Sequence, residues 1–265
     1  MEKEIGWLLK EKYNAKLTRA AKKDIERLKK GEPLDYIIGF TEFLGCKIDL
    51  SKKPLIPRPE TEFWVERAIN EIGNPSNRYA RSGQNLRILD IFAGSGCIGI
   101  AILKYIKNSN VVFAEKEKNS LEQIKINCKI NEITKDKYVI MPSDVFKNIS
   151  GKFDIIFANP PYIADYKSNP SVRLRTILRN RIQKSVLEHE PKKALFGGKD
   201  GLLYIKNFLK NARDFLNDNG KMYMEFDSIQ KKKINRLLLD LDYKNFKFFT
   251  DQCGKWRYVI ISPVS

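Results

Sequence analysis

Apolar residues recur at helical spacing near the start of the chain, at Trp7, Leu8, Leu17, Ala20, Ala21, Ile25 and Leu28, with lysines and arginines filling the other face. This pattern predicts one or two helices over residues 2–30, with Thr18 as the N-cap of the second and Gly31 as its stop. Between Gly39 and Leu50 the pattern becomes that of a hairpin, with Phe40, Phe43 and Leu44 before Gly45, then Ile48 and Leu50. Prolines at 54, 57 and 59 keep the next stretch extended until a helix begins near Thr61. That helix is expected to bury Trp64, Val65, Ala68 and Ile69 and to stop at Gly73. Residues 74–85 are polar, with Pro, Ser, Asn and Gly, and read as a linker.

From residue 86 the chain alternates between two periods. Strands are predicted at 86–91, 111–114, 138–141, 153–158, 221–226, 246–250 and 257–262. Amphipathic helices are predicted near 97–107, 118–130, 201–217 and 229–240. Such alternation specifies an α/β fold, a mostly parallel sheet wrapped by helices on both faces. Three parts follow: residues 1–73 as a small helical and hairpin region, 74–85 as linker, and 86–265 as the main domain. Ligands in open sheets of this kind bind beyond the carboxyl ends of the strands, so the residues just after each strand are the informative ones.

Composition narrows the class. A length of 265 residues and 42% hydrophobic content suit a folded protein with a substantial core. No apolar run reaches a membrane span, and Met1-Glu2-Lys3-Glu4 lacks the apolar core of a secretory signal, so cytoplasmic residence is expected. Cysteines 46, 97, 128 and 253 show no metal-type spacing and are expected as reduced thiols. With His189 as the single histidine, histidine-rich metal sites and Ser-His-Asp catalysis drop out, and no metal is expected. A net charge of +17 fits an anionic partner such as RNA or the ribosome, and equally fits lysines scattered by composition.

The candidate chemistry sits at strand ends. The run Phe153–Ala158 leads into Asn159-Pro160-Pro161-Tyr162, a stiff turn because consecutive prolines fix φ and donate no N–H. It presents an aromatic ring and a carboxamide that donates and accepts at once, suited to a planar nitrogen group. After the first strand, Asp90-Ile91-Phe92-Ala93-Gly94-Ser95-Gly96 is a glycine-rich turn opening a helix, without the Gly-Lys-Ser/Thr of a P-loop. The second strand ends at Glu115, whose carboxylate suits ribose hydroxyls. After the third come Asp144, Val145 and Phe146, an acid for an exocyclic amine and apolar groups for an adenine ring. Acids at 90, 115 and 144, with few cations among them, suit a cationic adenosyl ligand without phosphate, S-adenosylmethionine.

These motifs resemble those of the release-factor glutamine methyltransferases, a family of class I S-adenosylmethionine-dependent enzymes. The resemblance rests on residues 31–39, on Leu55-Ile56-Pro57-Arg58-Pro59-Glu60-Thr61-Glu62, on the glycine loop, on Asn159-Pro160-Pro161-Tyr162-Ile163 and on Glu190–Gly201. It implies a Rossmann-like sheet with an antiparallel last strand. It implies methyl transfer to the side-chain amide nitrogen (N5) of the glutamine in the Gly-Gly-Gln motif of peptide chain release factors, leaving S-adenosylhomocysteine. Cofactor contacts would fall on Phe92, Ala93, Gly94, Ser95, Gly96, Glu115, Val145 and Asn159. The substrate amide would be held by Asn159, Pro160, Pro161 and Tyr162, with the Asn159 side chain and Pro160 carbonyl accepting from its NH₂. Residues 1–73 would help dock the substrate.

Three features depart from the family pattern. Phe92 stands where the family usually has its first glycine, the region before Gly31 is short, and 163–189 is enlarged and carries Arg173, Arg175, Arg179 and Arg181. Those arginines suit an acidic partner or a solvated helix face. Asn-Pro-Pro-Tyr alone also fits an enzyme methylating the exocyclic amine of adenine in DNA or RNA, with Tyr162 stacked on a flipped base. A non-catalytic RNA-binding protein retaining the fold is a third reading, opposed by the three acids.

Overall fold

The apolar runs at 86–91 and 153–158 have the composition of strands covered on both faces, and they pair side by side in parallel at the middle of a seven-stranded sheet. The computed structural model describes residues 1–81, 83–165 and 182–262. The N-terminal elements are α1 (Glu2–Tyr13), α2 (Arg19–Lys29), α3 (Leu34–Ile38), β1 (Phe40–Phe43), β2 (Cys46–Asp49), α4 (Pro59–Gly73) and the single turn α5 (Arg78–Arg81). Then come β3 (Leu86–Ile91), α6 (Cys97–Tyr105), β4 (Ser109–Glu115), α7 (Lys118–Ile130), β5 (Tyr138–Pro142) and β6 (Phe153–Ala158). The described chain continues with α8 (Lys184–His189), α9 (Lys192–Leu195), α10 (Leu203–Asn211), β7 (Leu216–Glu225), α11 (Lys231–Asp240), β8 (Asn245–Thr250) and β9 (Trp256–Ser262).

The sheet order is β5-β4-β3-β6-β7-β9-β8. Pairs among the first five are parallel, while β9 runs antiparallel to both β7 and β8. Chain order reverses direction between β3 and β6, which opens a crevice at the carboxyl ends of those two strands. The glycine loop follows β3 and Asn159 follows β6, so both land in that crevice.

Local sequence explains the elements around it. Thr18 caps α2 by accepting from Ala21 N at 3.0 Å. The hairpin turns through Leu44 and Gly45, both with positive φ (49° and 65°), the geometry a two-residue turn between twisted strands needs. Helix α4 begins two residues earlier than predicted, because Pro59 is favoured at the first helical position, where no N–H is needed. Its buried face, Thr61, Trp64, Val65, Ala68, Ile69 and Ile72, keeps helical spacing, and Trp64 stacks against Phe157 and Tyr258. The hairpin and α4 share one apolar cluster with β3, α6 and β4, whereas Leu8, Leu28 and Ile37 of the first three helices form a small cluster of their own. In the polar stretch before β3, Tyr79 is buried and donates to Asn219 O at 2.9 Å.

Two predicted elements shift. The helix expected over 201–217 is α10, which ends at Asn211; a 3-10 turn follows, and β7 starts at Leu216. The short helices α8 and α9 flank Pro191 and are too brief to show a period. The arginines at 173, 175, 179 and 181 lie outside the described residues. Cys46, Cys97 and Cys128 are buried and Cys253 is exposed, all as free thiols. No helix among the described residues is long and apolar enough to cross a membrane.

Candidate active site

Two cavities meet at the Asn159 turn. One, of about 470 Å³, lies over the carboxyl ends of β3 and β4 and is lined by Phe92, Gly94, Glu115, Asp144, Val145 and Tyr204, among others. The other, of about 670 Å³, lies between the start of α4 and the end of β7, with Arg58, Pro160, Tyr162, Glu225 and Arg257 in its wall. Asn159, Leu55 and Ala194 line both. The turn divides its residues: Pro161 faces the first cavity, Pro160 and Tyr162 the second.

The glycine loop is held from below. Asp90 is buried, its Oδ2 accepting from Gly99 N at 3.0 Å, while Oδ1 has no hydrogen-bond partner. Burial pushes its carboxyl up to about 7. Phe92 has φ 63°, so the position where a glycine was expected does adopt a left-handed backbone. Its ring meets Tyr204 edge-on, with centroids 5.9 Å apart. Ala93, Ser95 and Gly96 form the base of the loop rather than the cavity wall: Gly96 N donates to Ala93 O at 2.7 Å, and Ser95 O accepts from Asn127 Nδ2 at 2.9 Å.

Glu115 closes the loop's other side. Its Oε2 accepts from Gly94 N at 2.8 Å, and its Oε1 from Lys116 N and Glu117 N at 2.7 and 2.8 Å. Burial raises its carboxyl above the usual range despite those donors. Three backbone donors leave roughly one of a carboxylate's four lone-pair sites for a ligand hydroxyl. Val145 also carries a positive φ, 52°, unusual for a β-branched residue and of the kind that collects at binding sites.

One expectation is corrected here. The acids are not short of cations: Lys52, Lys53, Lys116, Lys192 and Lys193 all line the first cavity. Four of them pair with carboxylates, Lys52 with Glu122, Lys53 with Glu32, Lys193 with Glu117, and Lys116 with Asp144 at 2.7 Å. Lys116 directly follows Glu115, but Lys52, Lys53, Lys192 and Lys193 arrive from segments distant in sequence, which strand-by-strand reading does not bring together. Asp144 is half-exposed, so an amine bound there would share it with Lys116.

The second cavity has a buried polar floor that motif reading missed. Glu225, 1% exposed at the end of β7, takes three donors: Thr61 Oγ1 and Trp64 Nε1 on Oε2, each at 2.7 Å, and Tyr162 OH on Oε1 at 2.9 Å. Burial raises the Glu225 carboxyl, opposed by these donors and by Arg257. Burial, with the charge of Glu225 behind it, holds the Tyr162 hydroxyl well above its usual range, so the phenol stays protonated and donates. Asn159 Nδ2 donates to Thr61 Oγ1 at 3.3 Å. Arg58 pairs with Glu190, whose other oxygen accepts from Ile56 N at 3.2 Å.

The back of the turn is fixed by the Glu190–Gly201 stretch. Ile163 bridges Phe196 in parallel, and Gln230 Nε2 donates to Tyr162 O at 2.8 Å. A Cβ at Gly197 would sit 2.3 Å from Pro161 O, and one at Gly201 2.2 Å from Tyr162 O, so only glycine admits this approach. Apart from its turn residues, the only recognisable signal for this packing was the shared motif of Glu190–Gly201; Gln230 gave none.

A mostly parallel sheet of this order, with its switch-point crevice divided by an Asn-Pro-Pro-Tyr turn, is the architecture of a class I methyltransferase. Residues 78–184 match the family model described as "Methyltransferase small domain". The chain is 33% identical over 240 residues to the release factor glutamine methyltransferase of Flavobacterium psychrophilum, covering 89% of this chain and 77% of that protein. To the bifunctional methyltransferase of Rickettsia conorii it is 32% identical over 274 residues, 97% of this chain, and it spans 50% of that relative's length. The chain therefore belongs to the release factor glutamine methyltransferase family. Among solved structures, a methyltransferase from Pyrococcus furiosus shares the fold, with TM-score 0.57, 18% identity, and coverage of 83% of this chain and 90% of that one.

Proposed function

We propose that this chain transfers a methyl group from S-adenosylmethionine to the side-chain amide nitrogen (N5) of the glutamine in the Gly-Gly-Gln motif of peptide chain release factors. The observation that carries the reading is the position of Asn159, the polar side chain shared by both cavities. Membership of the release factor glutamine methyltransferase family supports the choice of acceptor.

The first cavity fits the cofactor. Glu115 would take a ribose hydroxyl, Asp144 the adenine amine, and Val145 the face of the ring. The loop from Phe92 to Gly96 would carry the methionyl end, with the unpartnered Asp90 Oδ1 beneath it as a buried acceptor. When bound, S-adenosylmethionine supplies an electrophilic methyl group on a sulfonium.

The residues of the turn then act on the acceptor. An amide nitrogen is a weak nucleophile because its lone pair is delocalised into the carbonyl. The Asn159 carboxamide and the Pro160 carbonyl accept from the two N–H groups of the substrate, which orients the nitrogen toward the junction of the cavities. Fixing the reactants in this way is worth several kcal/mol. Tyr162, anchored to Glu225, packs beside the acceptor. The turn offers no general base, and the amide proton leaves to water after transfer.

The test is incubation with labelled methyl donor, a release factor, its Gly-Gly-Gln→Gly-Gly-Ala variant, and total nucleic acid. Label in the release factor alone supports the reading. Label in nucleic acid replaces it with methylation of an adenine amine, and no label in any acceptor removes it.

A further inference from the structure

We infer that Thr61 and Glu225 are positioning residues that set which way the Asn159 carboxamide faces; this rests on the reading of Asn159 given above. The argument is one of donors and acceptors. Glu225 receives three hydrogen bonds, from Thr61, Trp64 and Tyr162. An indole N–H has no acceptor to offer, and the hydroxyls of Thr61 and Tyr162 both donate to the Glu225 carboxylate. Glu225 therefore stands as the acceptor of all three, and the single proton of the Thr61 hydroxyl is committed to Oε2 at 2.7 Å.

With its proton committed, Thr61 Oγ1 can only accept from its other neighbour. A carboxamide has a donor end and an acceptor end, and the one that meets an acceptor must be Nδ2. The 3.3 Å contact from Asn159 Nδ2 to Thr61 Oγ1 is that arrangement. It leaves Asn159 Oδ1, which accepts from none of the described residues, as the end offered to an incoming N–H. The opposite orientation would aim an N–H at the substrate NH₂, donor against donor. The buried Glu225 thus selects, through one hydroxyl, an Asn159 that accepts rather than donates. Thr61 lies 98 residues before Asn159, within the proline-rich stretch whose conformation places the start of α4. This gives that stretch a role in the chemistry beyond shaping the wall of the cavity.

The experiment compares T61V, which keeps the shape and removes the hydroxyl, with T61S, which restores it. In the methyl-transfer assay T61V should lower kcat by about 10- to 100-fold, with the KM for release factor and the affinity for S-adenosylhomocysteine within about twofold. T61S should recover kcat to within about threefold. A second readout needs no acceptor: exchange of the Asn159 side-chain NH₂ protons with water, followed by ¹⁵N-edited NMR. It should speed up about tenfold in T61V and stay near wild type in T61S. Unchanged exchange in T61V, or unchanged kcat, overturns the inference. If wild-type protein labels no release factor while the exchange responds as expected, the acceptor assignment fails and the positioning by Thr61 stands.

Discussion

Arg58 and Glu190 meet across 132 residues of chain, guanidinium Nη2 to carboxylate Oε1 at 2.5 Å, with the Glu190 side chain 1% exposed. The pair ties the proline-rich stretch before α4 to the loop that carries α8 and α9, the two walls of the larger cavity. Breaking a buried pair from one side leaves a charge without compensation. Arg58→Met should therefore destabilise the chain by about 3 kcal/mol, whereas Glu190→Gln, which keeps an acceptor for Ile56 N, should cost about half of that. Denaturant midpoints of the two variants measure the difference. Equal and negligible effects would mean that the pair holds nothing in place.

Asn159→Ala removes the one polar side chain common to both cavities. Methyl transfer should fall by about three orders of magnitude or more, from lost orientation of the acceptor. Binding of S-adenosylhomocysteine should weaken only a fewfold, because Glu115, Asp144 and the glycine loop remain. Calorimetric titration beside the labelling assay separates the two effects. Retained turnover would take Asn159 out of the mechanism.

The strands and the turn after β6 were legible because they rest on local rules: unbroken apolar runs, glycines after a strand, and paired prolines. Phe92 was legible as a departure, and its left-handed backbone accounts for the glycine expected there. Side chains joined only by folding gave no such signal. Glu225 is an acid at the end of a strand like any other until Thr61, Trp64 and Tyr162 gather on it from 63 to 164 residues away. Lysines 52, 53, 192 and 193 around the first cavity were hidden for the same reason. So were the amides of Gln123 and Asn127 on α7 and of Asn131, its C-cap, which sit at helical spacing and accept from the backbone N–H groups of Lys52, Asp49 and Lys47.

Gly201 shows how closely the rear loop supports the turn. Its φ is 73°, and a Cβ there would press on Tyr162 O, a backbone atom that cannot swing away. Gly201→Ala should cost about 2 kcal/mol or more from strain and overpacking together. Displacing the turn should also lower kcat by more than tenfold, since small misplacements of reacting groups are costly. The control is Gly254→Ala, also at positive φ (74°) but with open space around it, which should lose some stability and keep its turnover. Equal losses of turnover in the two variants would argue against support of the turn by the rear loop.

Asp90 sets a pH dependence of stability whose sign follows from its burial. Its carboxyl rises from 3.8 to about 7 in the folded chain. Between those values the folded protein holds a proton that the unfolded chain has released, so protons favour folding. This contribution is fully present below about pH 4 and is lost as pH rises through about 7. Glu115 and Glu225, also raised by burial, act in the same direction. The difference between wild type and D90N isolates the Asp90 part, since Asn keeps an acceptor for Gly99 N and cannot ionise. Thermal unfolding without ligand from pH 4.5 to 8.5 should show the wild-type midpoint falling more steeply than that of D90N. Parallel curves would mean that Asp90 ionises at its ordinary pH in the folded chain, and that its unpartnered oxygen has solvent within reach.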